Sequence, residues 1–375
     1  METNKRLKYI DNACLFVIML VVVLQLSLTY GGSGSWYYTE SRMQSGSTAT
    51  FFRFFQTFLQ SFSMGFLFLI AGYFVPQSYE RKGFAAFLKC RALHLGIPVL
   101  LYMLVIDPAL RYALLDEHNG FFTYYLDNIV TLRFLSGSGP LWFALALLVF
   151  SCVYAVSRRF TDHKRRRLFK SVSPGFAELA LLVLIIGLLT FLLRIPFPCG
   201  TVVFGIPLSY FAQYIVLFIA GLLAYRYDLF NRLSHSCIGL LYTLPLWGPG
   251  VWVALMMAVQ GFWRSNYALL DGGGWWQSLI FALWEAFTAV AMCAGLLVLF
   301  RDYAGNQTRL TQEMSKSAGV VYVIYAPIVT VIALLFQTVG WAPFAKFVAM
   351  IPVCLTACFV VSYLLTKVSL YKRLL

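Results

Sequence analysis

The sequence predicts an all-α integral membrane protein of about ten transmembrane helices with both termini cytoplasmic, and three observations carry that expectation. Hydrophobic residues make up 60% of the 375-residue chain and charged residues 12%, against about 25% charged in soluble proteins. The apolar residues gather in runs long enough to cross the hydrocarbon core as helices, where only an internally hydrogen-bonded backbone is tolerated. The connections between runs are short and polar or Gly/Pro/Ser-rich, with no soluble domain among them, so residues 1–375 read as a single transmembrane domain.

The runs follow one another along the chain. Residues 11–31 form the first; it is long, and its exit TYGGSGSWYY has no small-x-small cleavage pattern, so a spanning helix is expected rather than a signal peptide. The second covers 51–75. The third, 93–115, carries Asp107 just before the helix-distorting Pro108. Residues 139–157 make the fourth, 176–194 the fifth, ending on Arg194, and 208–225 the sixth. Residues 237–259 are the seventh, and the eighth, 277–300, has Glu285 inside it. In the ninth, 318–337, Pro327 follows Tyr325 by two positions; in the tenth, 344–366, Cys354 and Cys358 share a helical face as small packing residues.

The positions of the cations set the orientation, because cytoplasmic loops retain Lys and Arg. With the N-terminus inside, 22 of the 29 Lys and Arg residues fall on cytoplasmic segments and 7 on the outer side and adjoining helix ends. That distribution accounts for the formal net charge of +14 without nucleic-acid binding. Aromatic clusters such as Trp36-Tyr37-Tyr38, Tyr124-Tyr125 and Trp275-Trp276 fit the outer interface. The densest basic run, RRFTDHKRRRLFK at 158–170, is a topology anchor in contact with anionic membrane lipids, and the same charges suit the phosphates of a nucleotide thioester. The eight cysteines include no CxxC pair, so neither a metal site nor a disulfide framework is expected.

An ionised side chain at the bilayer centre costs on the order of 3 kcal/mol, so polar groups within the runs should face the bundle interior. Asp107 and Arg111 stand four residues apart as an intrahelical pair, whereas Glu285 has no cation near it in sequence. Arg53 and Arg194 stand near outer helix ends, where snorkelling is expected. Gln25 interrupts the first run, and its amide needs partners that lipid does not supply. Tyr325 lies where Pro327 can bend the backbone beside a cavity.

Several stretches together resemble the acyltransferase-3 family of integral membrane O-acyltransferases: YIDNACLFVIMLVVVLQLSLTYGGSGSWYY (9–38), QSFSMGFLFLIAGYFVP (60–76), FLKCRALHLGIPVLLY (87–102), GPLWFALALLVFS (139–151), YFAQYIVLFIAGLLAYRYDLFNRL (210–233) and LWEAFTAVAMCAGLLVLFR (283–301). The resemblance covers most of the chain. It implies a bundle of about ten helices in a bacterial cytoplasmic membrane that moves an acyl group from cytoplasmic acyl-CoA to a hydroxyl, on a glycan or lipid-linked sugar. It also implies a histidine base late in the first helix, eleven residues after an arginine.

At those two positions this sequence has Gln25 and Cys14, and a second family histidine, in the ninth helix, aligns with Tyr325. An amide takes no proton near neutral pH, and a phenol with an ordinary pKa near 10 is a poor base. Arg91 keeps a matched basic position, and His94 stands where arginine is common. The candidate catalytic residues are therefore Glu285 and Asp107 as relocated bases, with Gln25 and Tyr325 as orienting groups; His118, in the outer loop, is a further candidate base. Arg91, Arg158, Arg159 and Arg166 are the expected contacts for acyl-CoA, and no metal is expected. The rival expectation is a catalytically degenerate pseudo-acyltransferase that binds an acyl-CoA, lipid or glycan as a membrane scaffold. Small-molecule transport finds no internal repeat to support it.

Overall fold

A computed structural model describes residues 8–32, 37–40, 46–114, 120–160, 174–203, 205–237, 239 and 268–367. Among them, nine helices are long and apolar enough to cross a membrane. They are α1 (Lys8–Gly31), α2 (Gly46–Lys82), α3 (Phe84–Ala113), α5 (Trp142–Phe160), α6 (Phe176–Arg194), α7 (Phe211–Tyr227), α8 (Trp276–Tyr303), α9 (Arg309–Leu335) and α10 (Pro343–Lys367). A shorter helix, α4 (Phe121–Val130), sits in the connection after α3 and was not expected from the apolar runs. Its exposed Phe121, Phe122, Leu126 and Val130 explain both its form and why it escaped: it is amphipathic and too short to span.

Nine of the ten expected spans coincide with these helices. The seventh, 237–259, lies outside the described residues apart from Cys237 and Gly239. The residues on either side of it sit at opposite ends of the bundle. Arg301, at the end of α8, donates to the carbonyls of Phe230 and Leu233 at 3.0 and 2.9 Å. Asp271, shortly before α8 begins, accepts from the Cys199 amide at 2.6 Å, and the Gly273 amide reaches the Arg194 carbonyl at 3.3 Å. Lys8 and Lys367 lie at the same end as each other: Asn12 donates to the carbonyls of Ala304 and Asn306, and Ser362 donates to Ser317 near the start of α9. This end, which also carries Arg81, Lys82, Arg158, Arg159 and Arg226, is called the basic end below.

Helices α1, α2 and α8 form the buried centre, and α6 and α10 lie at the rim. On α6, Leu181, Leu184, Leu188 and Leu192 recur every three to four residues and are all exposed, the stripe a helix presents to lipid rather than to water. Helices α2 and α7 approach closely where they meet at Gly72 and Gly221; a Cβ on Gly221 would lie 3.0 Å from the Gly72 Cα and 2.9 Å from the Tyr73 amide nitrogen. Small residues let membrane helices approach until backbones touch, gaining dispersion where no hydrophobic effect operates. Farther along the same pair toward the other end, Gln213 donates to the Ser61 carbonyl at 2.5 Å and the Phe68 and Tyr214 rings stack at 5.0 Å.

Helix α3 is not uniform. Two π-turns, Ala92–Gly96 and Tyr102–Ile106, flank Ile97–Leu101; Pro98 follows the end of the first by two residues and Pro108 the end of the second by two. A proline lacks the N–H that an α-helix needs four residues on, and a wider turn re-registers the ladder around that gap. In the second π-turn the Asp107 amide donates to the Tyr102 carbonyl five residues back. Residues five apart thereby stand nearly above one another, which aligns Tyr102 and Asp107 on one face.

Candidate active site

A cavity of about 650 Å³ opens at the end opposite the basic one and descends to mid-bundle. Its helical wall comes from Val21, Leu24, Gln25 and Leu28 of α1, from Gln56, Thr57, Gln60 and Met64 of α2, from Trp142 of α5 and from Tyr325 of α9. The outer connections close the rest: Tyr37 after α1, Arg111 at the end of α3, Ser136, Gly139 and Pro140 before α5, and the segment 200–210. That segment contains a small antiparallel hairpin, Val202–Val203 paired with Ile206–Pro207, which the sequence did not announce.

Gln25 and Tyr325, singled out from different ends of the chain, face the same chamber. Gln25 is 4% exposed, and its Nε2 has no hydrogen-bond partner among the described residues. A buried, unsatisfied amide donor on a cavity wall is the mark of a group held for something that enters. Ser209 Oγ, also on the wall and fully buried, is in the same condition. Cys14, eleven residues before Gln25, packs half-buried against the core and does not line the cavity. Tyr325 sits beside Tyr322, whose hydroxyl donates to the Pro140 carbonyl at 2.7 Å and fixes α9 to the loop before α5.

Asp107 and Arg111 pair as their spacing predicts, Nε to Oδ2 at 2.9 Å and to Oδ1 at 3.1 Å. The two differ in exposure. The Arg111 side chain is 53% exposed and lines the cavity, whereas the Asp107 side chain is 3% exposed and lies behind it. A third member was not foreseen: Tyr37, which read as an interfacial aromatic, donates its hydroxyl to Asp107 and receives that of Tyr102 at 3.2 Å. The Arg111 guanidinium stands 5.3 Å from the Tyr37 ring centroid. Burial, with Tyr102 and Asp107 beside it, pushes the Tyr37 phenol well above its usual range, so it stays protonated and remains a donor.

Two glycines make room for this cluster. A Cβ on Gly137 would fall 2.5 Å from Asp107 Oδ2, and one on Gly139 would fall 2.8 Å from Tyr37 Oη and 2.7 Å from a Tyr102 ring carbon. Gly139 also has φ of 47°, a left-handed conformation that favours glycine.

Glu285 is placed behind the wall rather than on it. It is 1% exposed and pairs with Arg194, Nη1 to Oε2 at 2.5 Å. The cation missing from its sequence neighbourhood therefore comes from α6. This corrects the reading of Arg194 as a snorkelling residue: its side chain is fully buried, because Glu285 offers a partner inside the bundle. The guanidinium lies 5.0 Å from the Tyr210 ring, and Tyr210 separates the pair from the cavity. Nearby, outside the spans, burial raises the Asp271 carboxyl above the usual range and pushes the Cys199 thiol up to about 12. A second buried pair, Lys346 with Glu40 at 2.9 Å, ties the segment after α1 to α10 and was likewise missed.

The basic residues lie elsewhere. Arg91 stands 5.3 Å from the Phe87 ring and Arg159 4.9 Å from the Phe84 ring, and neither they nor Arg158 line the cavity. Along α5, Trp142 is on the cavity wall and Arg158 is about 24 Å of helix away. His94 is anchored through Nδ1 to the Cys90 carbonyl at 2.7 Å. Arg166 and His118 lie outside the described residues. No group of three or more His, Cys, Asp or Glu that could hold a metal ion occurs among the described residues.

The sequence profile of a family described as an acyltransferase domain matches residues 7–363, nearly the whole chain. No curated protein and no solved structure matches it.

Proposed function

The chain belongs to the acyltransferase-3 family of membrane acyltransferases, and from that premise we propose that it takes an acyl group from cytoplasmic acyl-CoA and esterifies a hydroxyl of a neutral sugar acceptor held in the outward cavity. The observation that carries this reading is the convergence of Gln25, Tyr325 and the Tyr37–Asp107–Arg111 cluster on one chamber. Its volume of about 650 Å³ suits a small-ligand site, which typically spans about 300–1,000 Å³. Its lining suits a polyhydroxylated guest: the amides of Gln25, Gln56 and Gln60 and the hydroxyls of Thr57 and Ser209 beside the rings of Tyr37, Trp142, Tyr210 and Tyr325. The charged side chain on the wall, Arg111, is already neutralised by Asp107, so the guest need not be an anion.

In this reading the basic end receives the nucleotide of the donor through Arg91, Arg158, Arg159 and Arg166, where charge-assisted hydrogen bonds to phosphate are the main polar handle. Gln25 donates from Nε2 to the thioester carbonyl or to the acceptor, an orienting and oxyanion-stabilising role open to an amide that cannot serve as base. The bacterial cytoplasmic membrane is the setting that gives both substrates access.

A scaffold that binds without turnover is the second reading, favoured by Gln25 and Cys14 standing where the family resemblance implies histidine and arginine. Purified protein in lipid nanodiscs, given labelled acyl-CoA and neutral oligosaccharides, decides between them. Transfer of label to the acceptor is expected. Gln25→His with Cys14→Arg should raise that rate if a base is limiting, since general-base catalysis contributes on the order of 100- to 10,000-fold. Saturable binding of both ligands with no transfer in either protein would establish the scaffold.

A further inference from the structure

Asp107 cannot meet a substrate directly, because it is almost wholly enclosed and absent from the cavity wall. Tyr37 is on that wall and donates to it. We propose that Tyr37 and Asp107 form a proton relay that deprotonates the acceptor hydroxyl, with Tyr37 as the catalytic residue touching the hydroxyl and Asp107 as the terminal acceptor. The inference rests on the acyltransferase reading above and supplies the base which that reading lacks at Gln25.

The step balances without any co-reactant beyond the acyl thioester. As the acceptor oxygen attacks the thioester carbonyl carbon, its O–H bond breaks and the proton moves to Tyr37 Oη. The proton already on Tyr37 moves to Asp107 Oδ1, so no tyrosinate accumulates. The tetrahedral adduct then collapses, its C–S bond breaks, and the departing thiolate recovers a proton from Asp107 by the reverse path.

Three features of the site fit this use. The Arg111 Nε–H, shared between Oδ1 and Oδ2 of Asp107, fixes the carboxylate where Tyr37 meets it. Tyr102, aligned with Asp107 by the π-turn, donates to Tyr37 Oη and fixes the phenol in place. Gly137 and Gly139 let the loop before α5 close over the cluster without displacing it.

The test uses the full-length protein in nanodiscs with an acyl thioester and a neutral sugar acceptor. Tyr37→Phe and Asp107→Asn should each lower kcat by on the order of 100-fold or more while the KM for acceptor changes little. The wild type should show a solvent deuterium isotope effect with a bowed proton inventory, the signature of two protons in flight; the residual activity of Tyr37→Phe should lose the curvature. Tyr102→Phe, which removes the contact that holds Tyr37 in place but no member of the relay, should lower kcat by less than either relay variant and keep the bowed inventory. Should Tyr37→Phe fail to fold, Asp107→Asn carries the same reading, and Asp107→Glu should restore part of the rate. A wild type that turns over and variants that match its kcat would overturn the relay and leave the acyltransferase reading standing. A wild type with acceptor and thioester bound but no transfer would overturn both.

Discussion

The buried Arg194–Glu285 pair offers a quantitative check on how α6 and α8 are held together. Glu285→Gln leaves a guanidinium in a site where its side chain is 0% exposed, with no hydrogen-bonding replacement for the carboxylate among the described residues. Removing one partner of such a pair costs about 3–5 kcal/mol. With an unfolding entropy of about 2.1 cal/mol/K per residue, 375 residues give about 0.8 kcal/mol/K, so the melting temperature should fall by about 4–6 °C. Replacing both partners, as Arg194→Met with Glu285→Leu, exchanges the pair for apolar volume, and buried pairs so replaced are often neutral or better. The double variant should therefore melt near the wild type and retain turnover. Thermal unfolding in detergent, read by tryptophan fluorescence, measures both. A single variant as stable as the wild type, or a double variant as unstable as the single, would refute the argument that the pair is mutually dependent and enclosed. A stable double variant that binds substrates but has lost turnover would instead assign Glu285 to the chemistry.

Two further expectations concern the basic end. Both termini and residues 158–170 should be cytoplasmic, so a membrane-impermeant thiol reagent should fail to label single-cysteine variants there in intact cells, while cysteines placed in 116–138 and 260–276 should react; labelling of 158–170 would invert the orientation. Acyl-CoA binding should weaken as salt rises and as Arg91, Arg158, Arg159 and Arg166 are replaced by glutamine, because exposed phosphate contacts are screened over about 8 Å at physiological ionic strength. Calorimetric titration measures this, and salt-independent affinity would remove these arginines from the donor site.

The helical architecture was legible because its cause is local: a run of apolar residues announces a span wherever it occurs, and nine such runs became α1–α3 and α5–α10. The Asp107–Arg111 pair was legible for the same reason, its partners being one helical turn apart. What stayed hidden depended on long-range contacts. Arg194 and Glu285 are 91 positions apart and Lys346 and Glu40 are 306, and neither spacing carries any period. Tyr37 looked like one member of an interfacial aromatic cluster because its partner, Asp107, lies 70 residues on. Pro108 signalled a disturbance in α3, but not that it would take the form of two π-turns.

The second π-turn makes the geometry of the cluster a matter of chain length as much as of residue identity. An i→i+5 turn holds one residue more than an α-helix would, and each residue of an α-helix advances the side chain by about 100°. Deleting a single position between Tyr102 and Asp107, such as Leu104, would let the segment close as α-helix with Tyr102 and Asp107 four apart and still on one face. Straightening the turn without losing a residue would instead swing everything after it around the axis by about 100°; Asp107 and Arg111 would turn together and stay paired, while Tyr37 would face a different part of the helix. A change that removed the turn but kept its extra residue would thus separate an ion pair that stabilises from the same ion pair connected to a cavity, with every named side chain still present.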